Sequence, residues 1–264
     1  LVEAVGGGSI GTQTAGSPFN IKITARDFLG NTVTGFSGTV DITSTGNLSA
    51  GGVTTAAFTN GILSSHSVTV SNTGSFSITA TETSATANGT SNLFTVNPGA
   101  PTQLAFSVQP VNTAATVSVT PAIKVQVRDA GGNLVPTATN SITFLINNNP
   151  GSGTLSGTLI VAAISGEATF GDISIDKVGN GYTLDASAGG LTSTTSQGFS
   201  ITAGPATRVA FTVEPSTTVS TVVISPAIKV QVQDAGGNLV GTVTDSITLA
   251  INGNPGSGTL SGTL

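Results

Sequence analysis

In the stretch AIKVQVR, Ile123, Val125 and Val127 alternate with Lys124, Gln126 and Arg128. Successive side chains of an extended chain point to opposite sides, so this spacing predicts a strand with one apolar face. The alternation returns at Ile228, Val230 and Val232, and occurs earlier at Ile21, Ile23 and Ala25. Other short strands are predicted around the central copy. Residues 103–108 precede it and residues 141–146 follow it, with Leu145 interrupting the polar side. Phe170, Ile173 and Ile175 mark a further strand, irregular at Gly171 and Asp172. Tyr182, Leu184 and Ala186 mark another, and Phe199 and Ile201 close the series. Phe106, Phe144, Phe170 and Phe199 fall on inward positions, and Tyr182 is expected in the core with its hydroxyl at the rim. No long window has helical spacing.

The pattern repeats over a longer distance. GAPTQLAFSVQP from Gly99 aligns with GPATRVAFTVEP from Gly204, and the match continues without a gap to Leu159 and Leu264. The spacing is about 105 residues, with roughly two-thirds of positions identical. Residues 19–33 and 74–81 fit the same template more loosely. Three repeats follow: residues 1–98, lacking the start of the first strand; residues 99–203, complete; and residues 204–264, the first half of a third. About seven short strands per repeat, separated by turn residues, predict an all-β fold of tandem immunoglobulin-like Greek-key β-sandwich domains. The links, residues 97–101 and 203–206, are short and contain Pro, so the domains are expected end to end as a rod. The phrase NPGSGTLSGTL runs on into IVAAISGEATF after residue 159 but is the last of the sequence at residue 264. With no initiator Met either, the sequence is expected to be a window on a longer repeat protein.

VQVRDAGGNLV, a Gly-rich middle and GYTLDASAGGLTS together resemble bacterial immunoglobulin-like tandem repeats, the group that includes invasin and intimin stalk domains. The resemblance covers essentially the whole chain. The D-x-x-G-N turn after the alternating strand, present three times, is its most specific element. It implies a spacer within a long secreted or surface-anchored, adhesin-like protein, with adhesion residing in other modules.

Composition narrows the function classes. Only 7% of residues are charged and the net charge is −5, with no basic cluster, so neither nucleic acid nor an anionic membrane is an expected partner. Mean hydropathy is positive, against disorder. There is no Cys, so neither a disulfide nor thiolate chemistry is available. No apolar run is long enough to span a bilayer.

The three turns are the candidate sites: Asp27 with Asn31, Asp129 with Asn133, and Asp234 with Asn238. An Asp that accepts hydrogen bonds from its own loop, with Gly and Asn supplying left-handed backbone, is ordinary turn chemistry. The alternative is calcium, which wants six to eight oxygens, whereas each turn offers one carboxylate. The links carry no acid, which argues against calcium bridging between domains. Asp172 and Asp176 are close enough in sequence to form a carboxylate pair, with a solvated edge the favoured reading; Asp185 lies in the same repeat. His66 is the one histidine, expected at the surface, and cannot build a metal site or a triad. Asn47 and Asn88 open N-x-S/T patterns, which arise by chance in a Thr-rich chain.

No catalytic residue, cofactor or resident metal is therefore expected. The leading expectation is a non-enzymatic stalk or spacer at the cell surface or outside the cell, whose partners are neighbouring repeats of the same chain. The alternative is a filament subunit that pairs strands with identical chains.

Overall fold

The computed structural model describes residues 1–263. Leu264, the last position of the second NPGSGTLSGTL, lies outside the described residues. The protein is all-β, with no helix among the described residues.

In the second repeat the strand Ile123–Arg128 has Ile123, Val125 and Val127 fully buried, while Lys124, Gln126 and Arg128 are half-buried on the other face. Gln103–Val108 pairs with it on one side and Glu167–Phe170 on the other, both antiparallel. Facing this three-stranded sheet is a second one. Its order is Thr113–Ala114, Phe199–Thr202, Gly179–Ser187, Ser141–Asn148 and Ile160–Ala162. The chain crosses from the first sheet to the second directly after Gln103–Val108, and Thr113–Ala114 then lies parallel to Phe199–Thr202. This strand order is that of an immunoglobulin-like Greek-key sandwich. Phe144 of one sheet stacks on Phe170 of the other, with ring centroids 3.8 Å apart, at the centre of the core. Leu145 is 60% exposed, so the break in alternation is a single outward leucine.

Tyr182 departs from the sequence expectation. Its hydroxyl is not at the rim: the residue is fully buried and the hydroxyl donates to the Lys177 carbonyl at 2.9 Å. The glycines of the NPGSG stretch make room for it. A Cβ on Gly153 would sit 2.9 Å from that hydroxyl, and one on Gly151 closer still. Asn149 ties the stretch locally, accepting from Gly153 N at 2.7 Å and donating to its carbonyl at 2.8 Å. Asn254 and Gly258 repeat the pair.

The first repeat follows the same plan. Phe19–Thr24 lies between Val2–Ala4 and Ile62–Val70, and Phe94–Asn97 between Gln13–Thr14 and Gly74–Phe76. Val40–Ser44 pairs with Ile78–Glu82. His66 is half-buried rather than at the surface, with Nε2 2.9 Å from the Gly51 carbonyl oxygen. The buried apolar residues of the first two repeats form two clusters, one drawn from residues 2–96 and one from residues 104–201.

In the third repeat Arg208–Val213 pairs with Lys229–Gln233. Register and bulge match the second repeat: Phe211 faces Val230 as Phe106 faces Val125. The outcome for the apolar face differs. Val209 and Phe211 are 58% and 46% exposed, whereas Leu104, the counterpart of Val209, is 4% exposed. Residues 246–251, SITLAI, form no strand, although the matching SITFLI does. In the second repeat that strand is held by Gly179–Ser187 and Ile160–Ala162, and residues 204–263 contain no matching segments.

Candidate functional site at the aspartate turns

Each turn begins where the alternating strand ends. At Asp27, Oδ1 accepts from Leu29 N at 2.9 Å and Asn31 N at 2.8 Å, while Oδ2 accepts from Asn31 Nδ2 at 3.1 Å. Gly30 has a φ of 86° and its counterparts Gly132 and Gly237 have 83° and 79°. That left-handed conformation is the turn's own requirement for glycine. Asp27 is exposed, and its carboxyl lies below the ordinary value because Asn31 donates to it from both side chain and backbone.

The other two turns share this geometry in a different setting. Asp129 and Asp234 are 2% and 1% exposed. Asp129 Oδ1 accepts from Asn133 N at 2.8 Å, and Asn133 Nδ2 lies 3.1 and 3.0 Å from the two oxygens. Oδ2 also accepts from Gly99 N at 2.8 Å, a hydrogen bond to the link between the first and second repeats. Asn133 Nδ2 then reaches the Ser71 carbonyl of the first repeat at 2.9 Å. The Asp234 turn does the same. Oδ2 accepts from Gly204 N at 2.8 Å, and Asn238 Nδ2 donates to the Asp176 carbonyl at 2.8 Å. Val178 N donates to Asn238 Oδ1 at 3.0 Å, and Lys177 Nζ to the Gly236 carbonyl at 2.7 Å.

An acid therefore does stand at each link, brought by the turn 30 residues downstream rather than by the link itself. Local sequence cannot display this, since the link residues themselves include no acid. Burial works against the charged form of Asp129 and Asp234. Donation from the Asn side chain, the link glycine and the turn backbone outweighs it, and both carboxyls sit below their ordinary value. Every carboxylate oxygen in these two turns already faces N–H donors, which suits an anion and repels a cation.

The remaining acids do not converge. Asp172 accepts from Thr158 N and Oγ1 at 2.9 and 2.8 Å, and Asp176 from Thr154 N at 2.6 Å. The two do not form a pair; each pins a different part of the Gly-rich stretch. Asp185 accepts from Thr195 Oγ1. Glu167 meets Lys124 Nζ at 2.9 Å, Ser107 Oγ at 2.8 Å and Gln126 Nε2 at 3.0 Å on the outer sheet face. Among the described residues no three His, Cys, Asp or Glu side chains are grouped for a metal ion. A cleft of about 410 Å³ in the first repeat is lined mostly by apolar groups, including Val2, Ile23, Phe36 and Phe58, together with Arg26 and Glu82. Asn47 and Asn88 are both exposed.

One feature escaped the sequence reading. Phe28 is wholly exposed and Leu29 is 79% exposed at the tip of the first turn. The signal was present: Phe-Leu stands where the other turns have Ala-Gly.

No protein-family model and no curated protein matches the chain. Among solved structures it is similar to FdeC, an Escherichia coli adhesin, at 16% identity over 87% of this chain and 73% of that one, with a TM-score of 0.39. It is similar to the Yersinia pseudotuberculosis adhesin InvE at 18% identity, covering 72% of this chain and 55% of that one, with a TM-score of 0.32. It is also similar to a β-glycosidase from Bacteroides vulgatus at 14% identity, covering 69% of this chain but 22% of that one, with a TM-score of 0.32. The chain thus spans about a fifth of the glycosidase's length. Likenesses at these scores assign no activity.

Proposed function

We propose that the chain is a non-catalytic spacer: successive β-sandwich domains, residues 1–98 and 99–203, followed by the first half of a third, residues 204–264, that hold other parts of a surface or secreted protein at a distance. The observation that carries this reading is the joining of the repeats. The hydrogen bond from Asn133 to Ser71 recurs, one repeat on, as that from Asn238 to Asp176. A chain that spends its buried aspartates on holding one repeat against the next is built for connection. Its partners, in this reading, are its own neighbouring repeats, and its place is outside the cell. The test is removal of residues 99–203, one period in register, from the protein on the cell that makes it. Surface exposure and ligand binding should persist while reach shortens. Loss of binding with surface exposure intact would overturn the spacer reading.

A further inference from the structure

The turns at residues 129–133 and 234–238 read D-A-G-G-N, and the turn at 27–31 reads D-F-L-G-N. Two glycines of the longer-glycine form have different causes. The fourth residue, Gly132 or Gly237, has a positive φ, as Gly30 does in the first turn. The third residue, Gly131 or Gly236, has no such φ, so the backbone accepts any side chain there, and the first turn carries Leu29. What the third position meets is the preceding repeat. A Cβ on Gly236 would collide with the Asp176 carbonyl oxygen and lie 2.8 Å from Asn238 Nδ2. A Cβ on Gly131 would already touch the Ser71 carbonyl oxygen at 3.5 Å and crowd Asn133 Nδ2 of its own turn at 3.1 Å, so a side chain longer than that of Ala meets the Ser71 loop or must turn away to solvent. In the first turn nothing approaches, and Leu29 stands in solvent.

We infer that D-A-G-G-N is a docking element for a neighbouring β-sandwich repeat, with a divided recognition. The Asp carboxylate takes the link glycine N–H, the Asn amide takes a backbone carbonyl of the preceding repeat's loop, and the third-position glycine admits that loop. The partner it fits is the loop that holds Ser71 or Asp176. Ser71 follows the strand Ile62–Val70, and Asp176 follows Ser174–Ile175. D-F-L-G-N, with Leu at the third position, folds as the same turn but does not accept such a neighbour. The inference concerns the joint and goes beyond the spacer reading: a rigid joint serves an adhesive or a filamentous protein equally well.

The chain has no Cys, so two introduced cysteines give a unique pair of spin labels. Thr43→Cys and Thr169→Cys place one label on an exposed position of each of the first two repeats. Electron–electron dipolar spectroscopy should give one narrow distance for this pair. Gly131→Leu should abolish it in favour of a broad distribution, while Ala130→Phe, the neighbouring half of the first turn's sequence, should leave it narrow. The first turn carries Leu at the same place with the same local geometry, so Gly131→Leu is expected to fold. If it does not, Asn133→Ser, which removes the amide donor without adding bulk, gives the deciding measurement. A narrow, unshifted distance in the folded variant, or equal broadening by Ala130→Phe, would overturn the inference.

Discussion

Replacing Asp129 by Ala removes the acceptor for three donors: Gly99 N, Asn133 N and Asn133 Nδ2. A hydrogen bond to a charged group contributes about 1.5–3 kcal/mol. The contributions do not sum here. The Asn133 donors and Gly99 N belong to half-buried residues that water partly reaches, and the substitution also relieves the cost of burying a carboxylate. A net loss of about 2–3 kcal/mol is the working figure, which for a domain of this size lowers the melting temperature by roughly 10–20 °C. Calorimetry is the assay, because it resolves whether the loss falls on the transition of the second repeat. Asp27→Ala is the matched control: the same turn chemistry, exposed, with no link to hold. Its fall should be distinctly smaller. Equal falls for the two substitutions would refute the reasoning, since they would mean that burial against the neighbouring repeat adds nothing to the turn.

Tyr182→Phe should cost about 1–2 kcal/mol by chemical denaturation, because it leaves the Lys177 carbonyl without its buried donor; no loss would show that water replaces the hydroxyl. Phe144→Ala should cost about 3–5 kcal/mol, as a fully buried ring stacked on Phe170 leaves a cavity between the sheets. Acid should weaken the joints. Asp129 and Asp234 have folded values below their unfolded ones, so their contribution is complete above an unfolded value of about 3.9 and is lost as pH falls through the lowered folded value. Stability that rises on acidification through that window would contradict the assignment. Chelator should leave the melting temperature unchanged, and a fall restored by calcium would reinstate the turns as metal ligands.

The sandwich was legible because its signal is local. Ile123, Val125 and Val127 declare a buried face by their spacing alone, and the D-x-x-G-N turn can be read from five residues. What stayed hidden depends on contacts far along the chain. Asp27 and Asp129 open the same D-x-x-G-N turn, yet one is exposed and the other buried, because the second turn is met by a loop carrying Ser71, 62 residues from Asn133 along the chain. The glycines at 151 and 153 read as flexible punctuation until Tyr182 is placed against them. His66 falls in step with the buried Val68 and Val70, and the fold half-buries it with Nε2 against the Gly51 carbonyl. Phe28 could be spotted only by asking why one of three otherwise similar turns carries an aromatic tip.

The parallel pairing of early and final strands in the first two repeats has a mechanical consequence. Gln13–Thr14 lies beside Phe94–Asn97 and runs the same way, as Thr113–Ala114 does beside Phe199–Thr202. Tension applied at the two ends of a repeat pulls such a pair in opposite senses along its length. The bonds between them are then sheared together instead of being peeled off singly, and all must yield before either strand slides. A chain of these repeats under drag should therefore hold its length up to a threshold and then lengthen one repeat at a time.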